Sequence, residues 1–417
     1  MKLLKTKTIL TLSLLTVFSN LQAAPYEIVD LGGLDGNASV ARDINEAGVS
    51  VGYANGPLKD NGFRTFNSHG VQFDESGNID FGVLTDGTIS DAFGINDAMV
   101  AVGLSNEISE VEENGVVDTV SSNFAVIFEG GVVTKIPPKD RLNGTTAYAI
   151  NNNGLILISG DYDVDPEDDT GPVERGFVYD RNNDTYSMAI PISDGANRAS
   201  ALTDINDSNQ VIGFSVAIVN DVNTVRSFIA SADDLSQLTE LPTINNRAIF
   251  AQGLNSSGEI VGNTFIDGTR NQFEAFYIDS NAAEPEVNLL GFFEPEFNHS
   301  QANDINNNGQ VVGRALVSSP TLGEFAAFLY EGGEMKNLNE LIACNTGWKL
   351  TEATAINDSG QIVGFGSIDG EVRAFRLDPT GGAVEECGTD NSRSGGGSFP
   401  YVMVALLALL GIRRKYS

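Results

Sequence analysis

Asp304-Ile305-Asn306-Asn307-Asn308-Gly309-Gln310-Val311-Val312-Gly313 decides the fold, because the chain writes this segment seven times. The other copies are DINEAGVSVG from Asp43, GINDAMVAVG from Gly94, AINNNGLILI from Ala149, DINDSNQVIG from Asp204, GLNSSGEIVG from Gly253 and AINDSGQIVG from Ala355. Their shared asparagines, Asn45, Asn96, Asn151, Asn206, Asn255, Asn306 and Asn357, are spaced by 51, 55, 55, 49, 51 and 51 residues. A fixed period of this size marks one supersecondary unit repeated along the chain.

Asn-x-x-Gly has a local physical cause. An asparagine at the first turn position bonds forward to the backbone, and glycine at the fourth accepts a left-handed conformation. A type I turn followed by such a residue joins two antiparallel strands. Gly48, Gly154, Gly258, Gly309 and Gly360 fill the fourth place, and Asn209 substitutes tolerably because asparagine visits left-handed space. Met99 does not suit it, so the second turn is expected to differ. These asparagines therefore read as turn formers and not as catalytic groups.

Each unit opens with an apolar stretch such as Ile28-Val29-Asp30-Leu31-Gly32 or Asn288-Leu289-Leu290-Gly291. A second strand runs into the Ile-Asn turn, a third ends in Val-Gly, and a fourth carries a small residue before Phe. The pairs are Gly176-Phe177, Ser227-Phe228, Ala275-Phe276, Ala327-Phe328 and Ala374-Phe375, with Phe63 to Phe66 and Phe124-Ala125-Val126 as the looser counterparts in repeats one and two. Four short strands per ~50 residues is the signature of a propeller blade. The expected fold is all-β, a seven-bladed β-propeller over residues 25–380, with an open β-solenoid as the alternative. One strand type begins the pattern at Tyr26 and another ends it at Phe375, so ring closure places the two ends side by side.

The repeat resembles the HAF-type extracellular repeat family, whose units join an Ala-Phe strand to an Ile-Asn-x-x-Gly-x-Val-Val-Gly hairpin. The likeness extends from Tyr26 to Asp378. The histidine that precedes Ala-Phe in that family is absent, with Arg373, Glu274 and Ala326 in its place. The resemblance implies an exported protein without an assigned activity or known catalytic residues.

Both ends read as sorting segments. Residues 1–24 carry Lys2, Lys5 and Lys7, then an apolar run from Ile9 to Phe18, then small residues ending at Ala23 and Ala24. That is the order of a secretory signal cut by signal peptidase. Residues 381–398 form a polar linker ending in Ser394-Gly395-Gly396-Gly397-Ser398. Residues 399–417 hold an apolar run, Phe399 to Ile412, closed by Arg413-Arg414-Lys415. Fourteen helical residues span about 21 Å against a ~30 Å hydrocarbon core, a deficit that snorkelling and small flanking residues offset. The basic cluster stays cytoplasmic and leaves the body outside. Together these parts resemble the GlyGly-CTERM sorting signal of Gram-negative bacteria. The resemblance implies inner-membrane anchoring by the C-terminal helix, transient or permanent. It also implies processing near Gly395-Gly396-Gly397 by a rhombosortase-type protease and type II secretion to the cell surface or medium; an uncleaved anchor is the other reading.

The chain has 24 Lys+Arg against 56 Asp+Glu. Three basic residues fall in each terminal segment and no acidic residue does, leaving a body with 18 basic and 56 acidic residues, net −38. Such a surface repels nucleic acid and anionic membrane, which removes both as partners. In an exported chain the even pair Cys344 and Cys387 reads as a disulfide. Closing a loop of about 43 residues stabilises by roughly 4 kcal/mol in the chain-entropy account.

Candidate chemistry is sparse. The connection after the Val-Gly strand varies most between repeats, and variable loops on one propeller face form the natural binding surface. In repeat two it holds Glu107, Glu110, Glu112, Glu113 and Asp118; in repeat three it runs from Asp161 to Asp169. Asp161, Asp163, Asp165 and Asp168 are candidate ligands of Ca²⁺, weighed against a solvated acidic loop. Pro166 and Pro172 stand where an EF-hand needs Gly and Glu, so the loop is not an EF-hand. With only His69 and His299, no nucleophile–base constellation is visible. Trp348, the single tryptophan, reads as packing on the disulfide or the last blade in preference to an exposed sugar-stacking ring. The function expected is a binding or interaction module for an unidentified glycan or protein; the alternative is a polysaccharide-active hydrolase or lyase, which rests on fold analogy.

Overall fold

Four short strands follow one another through every repeat, and each set forms one antiparallel sheet. The computed structural model describes residues 23–384, apart from 35–37, 57–66, 75–76, 114–115, 166, 168–170, 193–197, 220–221, 267–271 and 319–322. Blade 6 shows the plan: inner strand Ser300–Ile305, then Val311–Leu316, Phe325–Glu331 and outer strand Glu334–Asn337. Blades 1 to 5 repeat this order, from inner strands at Ser39–Ile44, Ser90–Ile95, Leu142–Ile150, Ser200–Ile205 and Ile249–Leu254.

Blade 7 is assembled from both ends of the chain. Lys349–Ile356, Ile362–Ile368 and Glu371–Pro379 supply three strands, and Tyr26–Gly32 supplies the outer one, with Tyr26 opposite Pro379 and Asp30 opposite Phe375. The inner strands neighbour one another in sequence, and the seventh neighbours the first. The fold is a closed seven-bladed β-propeller, and the open solenoid is excluded.

The cores lie between adjacent sheets. Val261 and Ala275 of blade 5 pack with Ala302, Ile305, Val311 and Phe328 of blade 6, and equivalent clusters recur around the ring. Phe177, Phe228, Phe276, Phe328 and Phe375 are fully buried there. Each contributes roughly 1.5–3 kcal/mol of apolar burial. Blades 1 and 2 solve the same problem differently: Val71 and Val126 take the Phe place in register, and Phe73 and Phe128 two residues later are buried. The third strand of blade 1 is thus Ser68–Phe73, and the expected Phe63 to Phe66 match lies outside the described residues.

Two other expectations change. Met99 adopts φ 62° and donates its N–H to the Asn96 carbonyl at 3.1 Å, so the second turn is built like the rest. The acidic segment of repeat two is no loop: Ala101–Glu113 and Val116–Glu129 continue as one long hairpin through Glu113 and Val116.

The glycine of Val-Gly serves close approach. Inner strands bulge opposite it, and a Cβ on Gly52, Gly103, Gly213, Gly262, Gly313 or Gly364 would sit 1.9–2.1 Å from an inner-strand carbonyl oxygen. Blade 3 has Ile158 there, together with an additional register shift between Asn143 and Thr146. Gly313→Ala is therefore expected to destabilise the protein by about 1–3 kcal/mol, the range for forced overpacking, read from urea unfolding; an unchanged midpoint would show that the bulge relaxes freely.

Candidate functional site

The repeated asparagines meet around one mouth of the central channel. In six of them the Oδ1 accepts two N–H groups of its own turn, in blade 6 from Asn308 at 3.1 Å and Gln310 at 3.0 Å; Asn357 Oδ1 accepts from Gln361 at 2.9 Å. Each Nδ2 then donates to the backbone carbonyl of the next asparagine. Asn45 donates to Asn96 (3.2 Å), Asn96 to Asn151 (3.2 Å), Asn151 to Asn206 (3.1 Å) and Asn206 to Asn255 (2.9 Å). Asn255 donates to Asn306 (3.1 Å), Asn306 to Asn357 (3.0 Å), and Asn357 back to Asn45 (3.1 Å). All seven side chains are buried. The turn reading holds, and the same carboxamides also join every blade to its neighbour.

A second ring lies on top of the first. Asp97 Oδ1 accepts the Glu46 N–H at 2.9 Å, Asn152 that of Asp97 at 2.8 Å and Asp207 that of Asn152 at 2.8 Å. Asn307, Asp358 and Glu46 continue it for Ser256, Asn307 and Asp358. This mouth encloses about 240 Å³ and is lined by acids and amides. Its carboxylates are occupied as acceptors: Asn152 Nδ2 spans Asp97 and Asp207 at 2.8 Å each, and Asn307 Nδ2 holds Asp358 at 2.7 Å. The arrangement joins neighbouring blades at this mouth.

Deeper in the channel, Asp43, Asp204 and Asp304 each bridge two blades. Asp304 accepts the Ile305 N–H at 2.7 Å and the Ile356 N–H of blade 7 at 2.8 Å; Asp43 and Asp204 do the same toward Ile95 and Leu254. Their surfaces keep some contact with the channel, yet protein surrounds them. Burial pushes Asp43 up to about 7 and Asp304 to about 6, and holds Asp204 well above the usual carboxylate range; the backbone N–H bonds oppose this only in part.

The opposite mouth, where second and third strands connect, has different chemistry. Aromatic rings run unbroken across blades 4, 5 and 6. Phe214 lies 6.5 Å from Phe250, Phe250 5.6 Å from Phe265, and Phe265 4.7 Å from Phe273. Phe273 is 5.7 Å from His299, and His299 5.1 Å from Phe325. All six rings are half-exposed, and none belongs to a core cluster. Arg314 caps the strip: its guanidinium is 4.7 Å from the Phe325 centroid and bonds Gln301 and Glu352. Beside the strip is a cleft of about 260 Å³ lined by Phe250, Gln252, Asn263, Phe273, Gln301 and Arg314, among others.

A second cleft on this side lies between blades 1 and 2. Arg42 pairs with Asp91 at 2.8 Å and stacks 5.3 Å from Tyr53 and 4.9 Å from Phe93. Arg42 Nε and Asp91 Oδ1 are buried there without a partner among the described residues. Burial raises Asp91 to about 6 although Arg42 pulls it down.

The predicted calcium ligands are not drawn together among the described residues. Asp161 is exposed at the end of Leu155–Tyr162, Asp163 bonds through its N–H to Arg141, Asp165 accepts the Glu167 N–H at 3.1 Å, and Asp168 lies outside the described residues. No group of three or more His, Cys, Asp or Glu side chains with metal-holding geometry occurs among the described residues. Cys344 is disulfide-bonded; Cys387, Gly395, Gly396, Gly397 and the apolar tail lie outside the described residues. Ala23 and Ala24 accept bonds through their carbonyls from the Ala383 N–H and the Thr380 hydroxyl. Trp348 packs on blade 7, edge-on to Phe375 at 6.2 Å. No helix of the described residues is long and apolar enough to cross a membrane.

Sequence reasoning missed the aromatic strip. Its signal is inverse: at the inner-strand place two before the bulged residue, Val40, Asp91, Thr146, Ala201, Phe250, Gln301 and Glu352 do not repeat, while their neighbours do.

The raised acids carry a pH dependence. Asp304 titrates near 3.9 when unfolded and about 6 when folded. The folded state therefore binds more protons between those values, and its stabilising contribution is present below about 4 and lost as pH rises through about 6. In urea unfolding, the stability of wild type minus that of Asp304→Asn is expected to fall from pH 4 to 6 and to level above; a difference that rises would show that the two N–H donors outweigh burial.

The fold has distant counterparts among solved structures. The β-propeller domain of the trilobed protease from Pyrococcus furiosus, with an open velcro topology, is 12% identical (TM-score 0.40; 66% of this chain, 81% of that one). A prolyl endopeptidase is 10% identical (TM-score 0.43; 68% of this chain), and the chain spans only 42% of its length. A polysaccharide lyase of family PL25, an ulvan lyase, is 11% identical (TM-score 0.41; 85% of this chain, 94% of that one). These likenesses are of fold alone. No curated protein sequence matches significantly. The model of a family of unknown function, DUF3466, matches residues 84–229 and 226–386. The seven-bladed chain is thus a member of the DUF3466 family.

Proposed function

We propose that the chain is an exported binding module, displayed at the cell surface or released from it, which holds its ligand at the mouth opposite the asparagine ring. The observation that carries this reading is the strip from Phe214 to Phe325, six half-exposed rings in contact with one another and outside every core cluster. Contiguous aromatic surface that is only partly buried and belongs to no core cluster supports an interaction site. Export is supported by the Lys-rich and apolar start, the Gly-Gly-Gly and apolar end, and the disulfide at Cys344. Signal peptidase acting at Ala23 or Ala24 and a rhombosortase-type protease acting near Gly395 to Gly397 are the processing partners this implies. The test is retention of the purified protein on isolated cell envelopes. Phe273→Ala and Phe325→Ala are expected to reduce retention several-fold, and Val132→Ser, at an exposed outer-strand position, to leave it unchanged; equal retention by all three would refute the assignment of the face.

A second reading, an enzyme acting on polysaccharides, is favoured by Asp91. It is an acid raised to about 6 in a cleft beside Tyr53, with one carboxylate oxygen unpartnered among the described residues. As a general acid it would be active below about pH 6 and fade above. Incubation with a polysaccharide panel would then release product that falls at least 100-fold in Asp91→Asn; absence of product across the panel removes this reading.

A further inference from the structure

We infer that the cleft beside Phe250 and Phe273 binds sugar residues of a neutral polysaccharide, an inference that rests on the binding-module reading and names its ligand class. The polar groups of the cleft point to it. Gln252 lines the cleft, and among the described residues its carboxamide has no hydrogen-bond partner, so both its acceptor and its donor are available. Asn263 is 7% exposed. Its oxygen accepts the Ala302 N–H at 2.9 Å, while its Nδ2 has no partner among the described residues. That Nδ2 is not among the buried unpartnered atoms; it keeps solvent contact and can exchange a water for a ligand acceptor.

Carboxamides donate and accept in one plane, which suits hydroxyl groups that also do both. Phe250 and Phe273 line the same cleft and give it apolar surface for the C–H groups of a pyranose. A chain ligand fits better than a single sugar, because the rings continue from Phe250 to Phe214 on one side and through His299 to Phe325 on the other. Charge selects a neutral polymer. Arg314 is spent on Gln301 and Glu352, and the body carries about −38, so an anionic polysaccharide is repelled at long range and finds no unspent guanidinium on Arg314.

Calorimetric titration of the purified full chain with neutral hexasaccharides (glucan, mannan, galactan) and with uronate and sulfated ones tests this. At least one neutral hexasaccharide is expected to bind. Gln252→Ala and Phe273→Ala are each expected to weaken it about tenfold, the scale of one lost hydrogen bond or ring contact, with melting temperatures matching wild type. Gln252 holds no partner among the described residues, so its variant reads the ligand contact even if Phe273→Ala proves unstable. Binding of anionic hexasaccharides only, of none, or equal affinity in both variants overturns the inference. Envelope retention that depends on Phe273 without any neutral-sugar binding would overturn this ligand class and leave the binding module standing; retention indifferent to Phe273 would overturn both.

Discussion

The carboxamide of one repeated asparagine holds the ring together. Its oxygen closes the turn that joins the first two strands of a blade, and its nitrogen fixes that turn to the next blade. Because each donor needs the carbonyl of its successor, the pattern is satisfied only by a closed circle. An open array of the same repeats would forgo one of the seven cross-blade bonds, a net loss of about 0.5–1.5 kcal/mol, while the end carbonyl keeps the N–H of its own turn. Asn357 thus adds one bond toward closure beside the strand pairing of Tyr26–Gly32 with Glu371–Pro379.

Other repeated positions reinforce the same joint at other heights of the channel. Ser90 and Ser300 accept an N–H from the preceding blade at 2.8 and 3.0 Å, and donate to a carbonyl of Gly82 and Gly291. Asp43, Asp204 and Asp304 bridge forward instead, to the N–H groups of Ile95, Leu254 and Ile356 in the following blade. With a single Asp for every second or third blade, the channel gathers three buried carboxyls whose mutual repulsion adds to the cost of burial. The acidic mouth and the aromatic mouth thus differ: the bonds that join blades repeat at one end, and the residues vary at the other.

That division explains what could be read from the chain. The period, the strand order, the turns and the end-to-end pairing were legible because they recur and have local causes. The cross-blade partner of Asn306 was not, since its acceptor lies 51 residues away and no local spacing encodes it. Met99 misled because side-chain preference was outweighed by a turn that six neighbours enforce. The strip at Phe250 and Phe273 was hidden for the opposite reason: a search for repeats discards the positions that differ, and here those positions carry the candidate site. The acidic run of repeat two looked like a loop because its charge masked a hairpin register.

The seam of blade 7 joins the earliest described strand to the latest, residues more than 340 positions apart. Loop closure over that distance costs about 3 kcal/mol more than closing a ten-residue hairpin. Six blades pair their strands through local hairpins; the seventh must wait for the ends to meet. Until then Tyr26–Gly32 and Glu371–Pro379 are bare edges, able to pair with the wrong chain. At high concentration, two copies of this protein would exchange those strands more readily than any others, and a strand-swapped dimer is the misassembly to which this architecture is most exposed.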